Sequence, residues 1–175
     1  MAANDFFGVV RRRRSIRKFS PNPVTAGQLE QILAAVTGAP SAGNLQAYHI
    51  VVVKALTVRQ RLSCAAGNQP CVAQAPVVLV FCADPTRSAA AWGAKGAQLL
   101  CVQDATIACA YAQLAATALG LGSVWLGAVI EPEAIRETLG LTADLWPIIL
   151  LPIGHPAEQP AKPARRRLQE LIREV

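Results

Sequence analysis

Apolar residues repeat at helical spacing most clearly in residues 25–40. The stripe that this spacing places on one helix face consists of Leu29, Ile32, Leu33 and Val36. Thr25 and Gln28 have the separation of a capping box, which predicts where the helix begins. Residues 103–120 are apolar on nearly every side, which predicts a helix at the centre of the fold or at a subunit contact.

Continuous apolar runs in residues 75–84 and 146–154 predict strands of a sheet that is buried on both faces. Residues 48–54 form a third apolar strand, and residues 123–129 form a short strand-like segment. The strands and helices lack the βαβ rhythm of a dinucleotide-binding fold. The pattern therefore predicts the α+β class, with residues 1–175 forming one domain.

Further helices are predicted at three places. Residues 5–19 are predicted to begin as a helix and to continue as an extended stretch. The segment that follows residue 54, up to Cys64, is predicted to be helical. Residues 131–140 have the pattern of a surface helix, with Pro132 in the first turn and Gly140 at the end.

The composition is 53% hydrophobic with a mean hydropathy of +0.32, so the 175 residues can bury a sizeable core. No run reaches the roughly 18–20 uncharged apolar residues of a membrane helix, because Gln103, Asp104 and Gln113 interrupt the best candidate. Polar residues follow the N-terminal arginines where an export signal would need an apolar region. We therefore expect a cytoplasmic protein without a membrane partner.

The five cysteines form no Cys-x-x-Cys pair, and the two histidines, His49 and His155, stand far apart in the chain. This pattern favours free, buried thiols in a reducing compartment over a metal centre, so no metal ligand is predicted. His49 is expected to be an ordinary strand residue, and His155 an ordinary turn residue.

The formal net charge of +6 is concentrated in two short segments. Residues 11–18 contain six cationic side chains, and residues 162–167 contain four. The rest of the chain holds seven bases and all 11 acids, so its balance is acidic. A nucleic-acid-binding protein more often spreads basic residues along one face, interleaved with aromatic residues. Two clusters near opposite ends of the chain can instead converge on one compact anion, so no nucleic-acid partner is predicted.

Motifs for several common enzyme classes are absent from the sequence: it has no Gly-x-Ser-x-Gly, P-loop, His-Glu-x-x-His or Gly-x-Gly-x-x-Gly. The two acids in apolar regions, Asp84 and Asp104, are predicted to cap helices. Such a chain is suited to a cofactor that carries the chemistry itself. Flavin mononucleotide (FMN) would need cations for its phosphate, amides for its pyrimidine edge and exposed backbone N–H groups, and the sequence contains all three.

Five segments occur in the order found in the nitroreductase family of FMN-dependent oxidoreductases, and the chain resembles that family over nearly its whole length. They are "RRSIRKF" (13–19), "PSAGNLQAYHIVVV" (40–53), "APVVLVFCAD" (75–84), "LGLGSVWLGA" (119–128) and "PIGHPAEQPAKPARRRLQEL" (152–171). Residues 93–125 also resemble the family's central helix. The resemblance implies a mixed central sheet flanked by helices, in a homodimer with intertwined termini and FMN at the subunit interface.

The resemblance also implies which residues contact FMN. The phosphate and ribityl contacts would come from Arg13, Arg14, Ser15 and Arg17, with Arg165 and Arg167 closing from the C-terminal end. The loop that covers the ring from the partner subunit would present Pro40, Ser41, Ala42 and Asn44. The pyrimidine edge would meet Asn68 and Gln69, and backbone groups towards the flavin N5 and O4 atoms would come from Leu126, Gly127 and Ala128.

The implied activity is hydride transfer from NADH or NADPH to FMN, followed by reduction of a nitroaromatic, quinone or similar acceptor in a ping-pong cycle. No catalytic side chain is expected, because the flavin N5 atom carries the chemistry. Gln46-Ala47-Tyr48 replaces the family's usual Gln-Pro-Trp, and Tyr111 stands where an amide is common, so the acceptor stays open. The alternatives are another flavin task within the family, such as dehalogenation, dehydrogenation or flavin breakdown, or a non-catalytic flavin- or nucleic-acid-binding protein.

Overall fold

A four-stranded antiparallel sheet lies at the centre of the protein in the computed structural model, which describes residues 6–127 and 131–175. The strands are β1 (Tyr48–Val53), β2 (Val77–Ala83), β3 (Gly122–Ser123) and β4 (Trp146–Gly154). Their spatial order is β1-β2-β4-β3, and each neighbouring pair is antiparallel. Within the described residues, the parallel part of the predicted mixed sheet is a bridge between Ser15 and Ser123.

The positions of β1, β2 and β4 confirm the strands predicted from apolar runs. Strand β2 pairs with both neighbours, so that Val78 lies opposite Val53 on one side and Val77 lies opposite Ile153 on the other. Every residue of β2 is buried, as predicted for a strand whose sheet is covered on both faces.

Helices occupy most of the remaining chain. They are α1 (Phe6–Arg12), α2 (Ala26–Thr37), α3 (Leu56–Ala65), α4 (Pro70–Gln74), α5 (Pro85–Lys95), α6 (Cys101–Ala118) and α7 (Pro132–Leu139). The predicted capping box at α2 is confirmed, because the Gln28 N–H donates to Thr25 Oγ1 at 3.1 Å and the Thr25 N–H donates to Gln28 Oε1 at 3.0 Å. Short helical turns occur at Ala42–Asn44, Gly96–Leu100 and Leu168–Glu170.

The two faces of the sheet carry separate cores. Helices α2 and α6 cover one face, where Ile32 and Phe81 belong to one apolar cluster. Helices α3, α4 and α7 cover the opposite face, where Leu62 and Ile135 share a cluster with Val80. All five side chains are fully buried, and burial of such side chains supplies most of the driving force for folding.

The two acidic residues that were predicted to be helix caps have different roles. Asp84 caps α5, since its Oδ1 accepts a hydrogen bond from the Arg87 N–H at 2.8 Å. The prediction for Asp104 is wrong, because this residue lies inside α6 and is only 2% exposed. Its carboxylate instead accepts hydrogen bonds from the backbone N–H groups of Ala42 and Ala47, at 2.9 and 3.3 Å.

Residues 85–118 together have the length and apolar composition of a membrane-crossing helix, contrary to the prediction that no segment has them. Their path is not one regular helix, because the backbone at Gly93 is non-helical (φ 55°, ψ −143°) and a π-helical turn joins α5 to α6. Cys109 and Ala112 on α6 are fully buried in the cluster against the sheet. Helix α6 is therefore a core helix, as its all-round apolar pattern predicts.

All five cysteines are free thiols, and the four that are buried are Cys71, Cys82, Cys101 and Cys109. Cys64 is exposed, so the prediction of buried thiols fails at this position. Burial raises the pKa of the Cys82 thiol to about 12, and burial raises the pKa of the Cys109 thiol further. At neutral pH these two thiols are therefore protonated and poor nucleophiles.

Candidate functional site

The N-terminal basic segment is held in an extended conformation beside the sheet. The Ile16 N–H donates to the Ser123 carbonyl at 2.9 Å, and Ser15 forms a parallel bridge with Ser123. Gly122 allows this close approach, because a Cβ atom there would lie only 2.8 Å from the side chain of Ile16. These contacts hold the backbone at Ser15 in place, and they therefore also restrict the position of the neighbouring Arg14.

The chain that follows β4 pairs with the same basic segment. The Ala157 N–H donates to the Lys18 carbonyl at 2.9 Å. One oxygen of the Glu158 carboxylate accepts hydrogen bonds from the backbone N–H groups of Arg17, at 2.5 Å, and Lys18, at 3.1 Å. The sequence reasoning did not single out Glu158. This pairing carries the residues after 158 towards the N-terminal arginines.

The two basic clusters meet at a cavity of about 460 Å³, which we call the arginine cavity. Its lining residues are Arg13, Arg14, Ser15, Arg17, Pro160, Ala161, Pro163 and Arg165. Lys162 lines an adjoining cavity of about 270 Å³. Arg167 does not line the arginine cavity and instead precedes the turn Leu168–Glu170. Arg11 and Arg12 are exposed.

Like charges crowd together around this cavity. Burial lowers the pKa of Arg13, and the nearby Arg165 and Arg14 cations lower it further. The Arg14 Nη1 group donates to the carbonyls of Arg11, at 2.8 Å, and Arg13, at 2.7 Å, so this side chain covers the end of α1. A bound anion would offset the repulsion between the cations and would match the forked donors of the guanidinium groups.

The predicted ring-covering residues are Pro40 and three residues of the tightly anchored loop that follows it, residues 41–47. The Gln46 N–H donates to Ser41 Oγ at 3.0 Å, and Gln46 Nε2 donates to Asn44 Oδ1 at 2.8 Å. Arg87 Nε donates to the Leu45 carbonyl at 2.5 Å. None of Pro40, Ser41, Ala42 and Asn44 lines the arginine cavity of the same chain.

The amide pair Asn68 and Gln69 forms the turn between α3 and α4. Asn68 is exposed with a left-handed backbone (φ 57°), and Ser63 Oγ donates to the Gln69 carbonyl at 2.7 Å. Neither amide lines the arginine cavity. The side chain of Asn68 is therefore accessible to a ligand that extends beyond that cavity.

Of the three residues predicted to offer backbone groups, Gly127 fits best. Leu126 exchanges both of its backbone hydrogen bonds with Leu150, at 3.0 Å each, so its N–H is engaged within the sheet. Gly127 is exposed, and a side chain there would collide with Trp125 Nε1 at 2.8 Å. Ala128 lies outside the described residues.

Gly127 opens onto a mostly apolar cavity of about 430 Å³, which we call the Gly127 cavity. Its other lining residues are Val102, Thr106, Trp125, Pro132, Pro147, Ile148 and Ile149. The sequence reasoning did not single out Val102 or Thr106. Both lie on the first turns of α6, whose all-round apolar pattern did not distinguish a ligand-facing side from a core-facing one.

The histidines lie outside the arginine cavity and the Gly127 cavity. His49 lies on β1 with its Nε2 3.3 Å from Asp84 Oδ2, and the His155 carbonyl accepts a hydrogen bond from the Ser20 N–H. Over residues 6–127 and 131–175, no group of three His, Cys, Asp or Glu side chains could hold a metal ion.

Residues 10–68 and 59–155 match the nitroreductase family. The chain belongs to the nitroreductase family. The fold predicted from the order of its motifs is confirmed by similar solved structures. The NADPH:FMN oxidoreductase of Vibrio harveyi, solved in complex with NAD+, is 31% identical, with a TM-score of 0.89 over 97% of this chain and 76% of that one. Nitroreductase A of Vibrio parahaemolyticus is 32% identical, with a TM-score of 0.89 over 99% of this chain and 76% of that one.

Curated relatives of this chain include the FMN reductase (NAD(P)H) of Bacillus subtilis, which is 39% identical over 164 residues. That alignment covers 87% of this chain but only 66% of the relative. A putative NADH dehydrogenase/NAD(P)H nitroreductase of Archaeoglobus fulgidus is 35% identical, with 84% of this chain and 83% of the relative covered. The chain therefore spans about two thirds of the first relative and most of the second.

Proposed function

We propose that this nitroreductase is an FMN-dependent oxidoreductase that uses NADH or NADPH as its electron donor. The observation that carries the proposal is the meeting of Arg13, Arg14, Ser15 and Arg17 with Arg165 around the arginine cavity. Relatives named FMN reductase (NAD(P)H) and NADPH-flavin oxidoreductase support the same activity.

The donor set of the arginine cavity fits a phosphate monoester. Guanidinium groups offer paired N–H donors and the Ser15 hydroxyl offers one more, which suits the oxygens of a dianion. The lowered pKa of Arg13 reflects burial and neighbouring cations, a repulsion that a phosphate would relieve. In this proposal Arg167 approaches the phosphate only after the C-terminal segment rearranges, because it does not line the cavity here.

The distance along the sheet supports placing the flavin ring near Gly127. Ser15 lies beside Ser123, and the segment from Ser123 to Gly127 runs along β4 through the Val124 and Leu126 hydrogen bonds. Four residues of extended chain span about 13 Å, which is the scale of a ribityl chain together with part of its ring. A phosphate in the arginine cavity would thus be compatible with a ring beside the Gly127 cavity.

A homodimer would explain why the predicted ring-covering residues lie away from the arginine cavity of their own chain. Loop 41–47 does not reach the arginine cavity of its own chain, so we propose that it covers the flavin held by a second copy. The segments at both ends also expose apolar side chains that a second copy could bury. They are Phe6, Phe7 and Val10 on α1 and Leu168, Leu171 and Ile172 near the C-terminus.

When bound, FMN supplies the redox chemistry by accepting a hydride from NADH or NADPH and reducing a nitroaromatic, quinone or similar conjugated acceptor. The chain's own part is to hold and orient the reactants. The arginine cations favour negative charge on the bound cofactor, and the Gly127 backbone offers a dipole at the ring. We assign no acid-base side chain and place the enzyme in the cytoplasm.

The proposal is tested by adding FMN to the purified protein and following visible absorbance and quenching of flavin fluorescence. Wild-type protein should bind FMN with one site per chain, and steady-state kinetics with NADH or NADPH should show a ping-pong pattern. Arg13→Gln should weaken binding. The matched control is Arg166→Gln, which removes the same charge from an exposed residue paired with Glu170 at 3.3 Å. No FMN binding by wild-type protein would refute the proposal.

A further inference from the structure

The most unusual buried group outside the arginine cavity is the carboxylate of Asp104. It lies in the first turn of α6 at 2% exposure, within a helix that is otherwise apolar on nearly every side. Buried charges of this kind are expensive unless several hydrogen bonds satisfy them. The hydrogen-bond partners of this carboxylate are therefore informative.

Both oxygens of Asp104 point to the same loop. Oδ1 accepts from the Ala42 N–H at 2.9 Å and Oδ2 accepts from the Ala47 N–H at 3.3 Å, so one side chain ties the two ends of loop 41–47 to α6. Its negative charge is also felt by Tyr48, where burial first and Asp104 second raise the pKa of the phenol.

The loop between these two anchors contains three left-handed backbone positions. Gly43 (φ 59°), Asn44 (φ 57°) and Gln46 (φ 48°) are all left-handed, and two of the three are not glycine. Left-handed backbone is unfavourable for residues with a Cβ atom. Two external contacts, from the Asp104 carboxylate and the Arg87 guanidinium, add to the loop's own hydrogen bonds in holding this conformation.

We propose that Asp104 is a positioning residue for the reaction: it fixes loop 41–47 in the shape that covers the flavin bound to the other subunit. The inference rests on the proposed function, because the loop acts on a flavin only if FMN occupies the dimer. Aspartate is suited to this role, since it is the smallest side chain with two acceptor oxygens and no donor. Asparagine would turn an N–H donor towards one of the two backbone N–H groups.

The test compares Asp104→Asn with Gln113→Leu. Gln113 is a second buried polar residue on α6, 8% exposed, and its Nε2 has no hydrogen-bond partner among the described residues, so it controls for general damage to the helix. At a temperature where circular dichroism shows both variants folded, Asp104→Asn should raise the FMN dissociation constant about tenfold, as expected for losing a hydrogen bond to a charged group. Gln113→Leu should leave it within about twofold of wild type.

A purely structural role for Asp104 would not alter the flavin itself, so the visible spectrum of bound FMN is the second readout. Asp104→Asn, saturated with FMN, should show a shifted flavin absorbance band, and Gln113→Leu should show the wild-type band. If Asp104→Asn fails to fold, Arg87→Gln replaces it, because this exposed residue holds the same loop through the Leu45 carbonyl. A folded loop variant with wild-type affinity and spectrum would overturn the proposal.

A hybrid dimer tests whether the loop acts across the interface. One subunit carries Asp104→Asn, and the other carries Arg13→Gln with Arg165→Gln. If the loop serves the partner's flavin, one site receives both lesions and the other receives none, so half of the sites should bind FMN like wild type. If no site binds normally, the loop serves its own chain and the proposal fails. Failure of the wild-type protein to bind FMN would instead refute the proposed FMN-dependent function.

Discussion

Substitution of Arg165 is the most direct test of the proposed phosphate site. Arg165 reaches the arginine cavity from the C-terminal segment, far along the chain from Arg13, and it is one of the cations that lower the pKa of Arg13. Replacing it by glutamine removes the positive charge and retains a polar side chain of similar length. The change therefore separates the charge of Arg165 from its bulk.

The size of the expected effect follows from the type of contact. A hydrogen bond between a guanidinium and a phosphate contributes about 1.5–3 kcal/mol, so Arg165→Gln should weaken FMN binding by about 10- to 150-fold. The folding stability without FMN should change by less than about 0.5 kcal/mol, because Arg165 is exposed and its loss also relieves repulsion with Arg13.

Riboflavin makes the assay specific, because it has the same ring and ribityl chain as FMN and lacks the phosphate. Titrations of both ligands, followed by flavin fluorescence quenching, should show that Arg165→Gln weakens FMN binding and leaves riboflavin binding near wild type. Arg166→Gln provides the charge-matched control, with wild-type affinity for both ligands. Equal loss of affinity for FMN and riboflavin, or no loss for FMN, would refute the phosphate assignment.

Three further predictions concern the support of the site and the state of the thiols. Gly122→Val should push Ile16 away from β3, which should weaken FMN binding and lower the free energy of unfolding in urea titrations by about 1–3 kcal/mol. Wild-type stability of this variant would show that the close approach is not required. Ellman's reagent at pH 8 should label Cys64 rapidly and the four buried thiols only after unfolding, and rapid labelling of a second thiol in the native protein would contradict the described burial. The thermal midpoint should fall as pH rises above about 9, because buried thiols with a raised pKa, such as Cys82 at about 12, stay protonated in the folded protein and ionise in the unfolded protein. Each such thiol lowers the free energy of unfolding by about 1.4 kcal/mol per pH unit until the folded thiol also ionises. A thermal midpoint that does not change between pH 8 and 10.5 would contradict the raised pKa values.

Local sequence patterns predicted the helices and strands whose positions depend mainly on neighbouring residues. The capping box at Thr25 and Gln28 fixes the start of α2 through neighbouring residues alone, and the apolar run of β2 reflects burial on both sides. Helix α5 consists mostly of small residues, and Trp92 is its one large apolar side chain. Its start nevertheless carries a signal, since Asp84 followed by proline is a favourable beginning for a helix.

The site depends on contacts between distant parts of the chain, which local patterns cannot specify. The charge distribution suggested that two basic clusters converge, and the structure brings Arg165 to Arg13, but Arg167 stays outside the cavity. The prediction that Asp104 caps a helix is wrong because an aspartate near the start of a helix commonly has that role, and the sequence alone does not show other partners. Its hydrogen bonds to loop 41–47 arise only when α6 packs beside that loop.

The two half-reactions, measured without oxygen on FMN-loaded protein, test the central claim most directly. NADH or NADPH alone should bleach the visible flavin absorbance completely, and subsequent addition of a nitroaromatic or quinone should restore it in proportion to the acceptor added. Arg13→Gln, which holds less FMN, should show a correspondingly smaller absorbance change per chain. Protein that binds FMN but is not bleached by either nucleotide would contradict the proposed oxidoreductase.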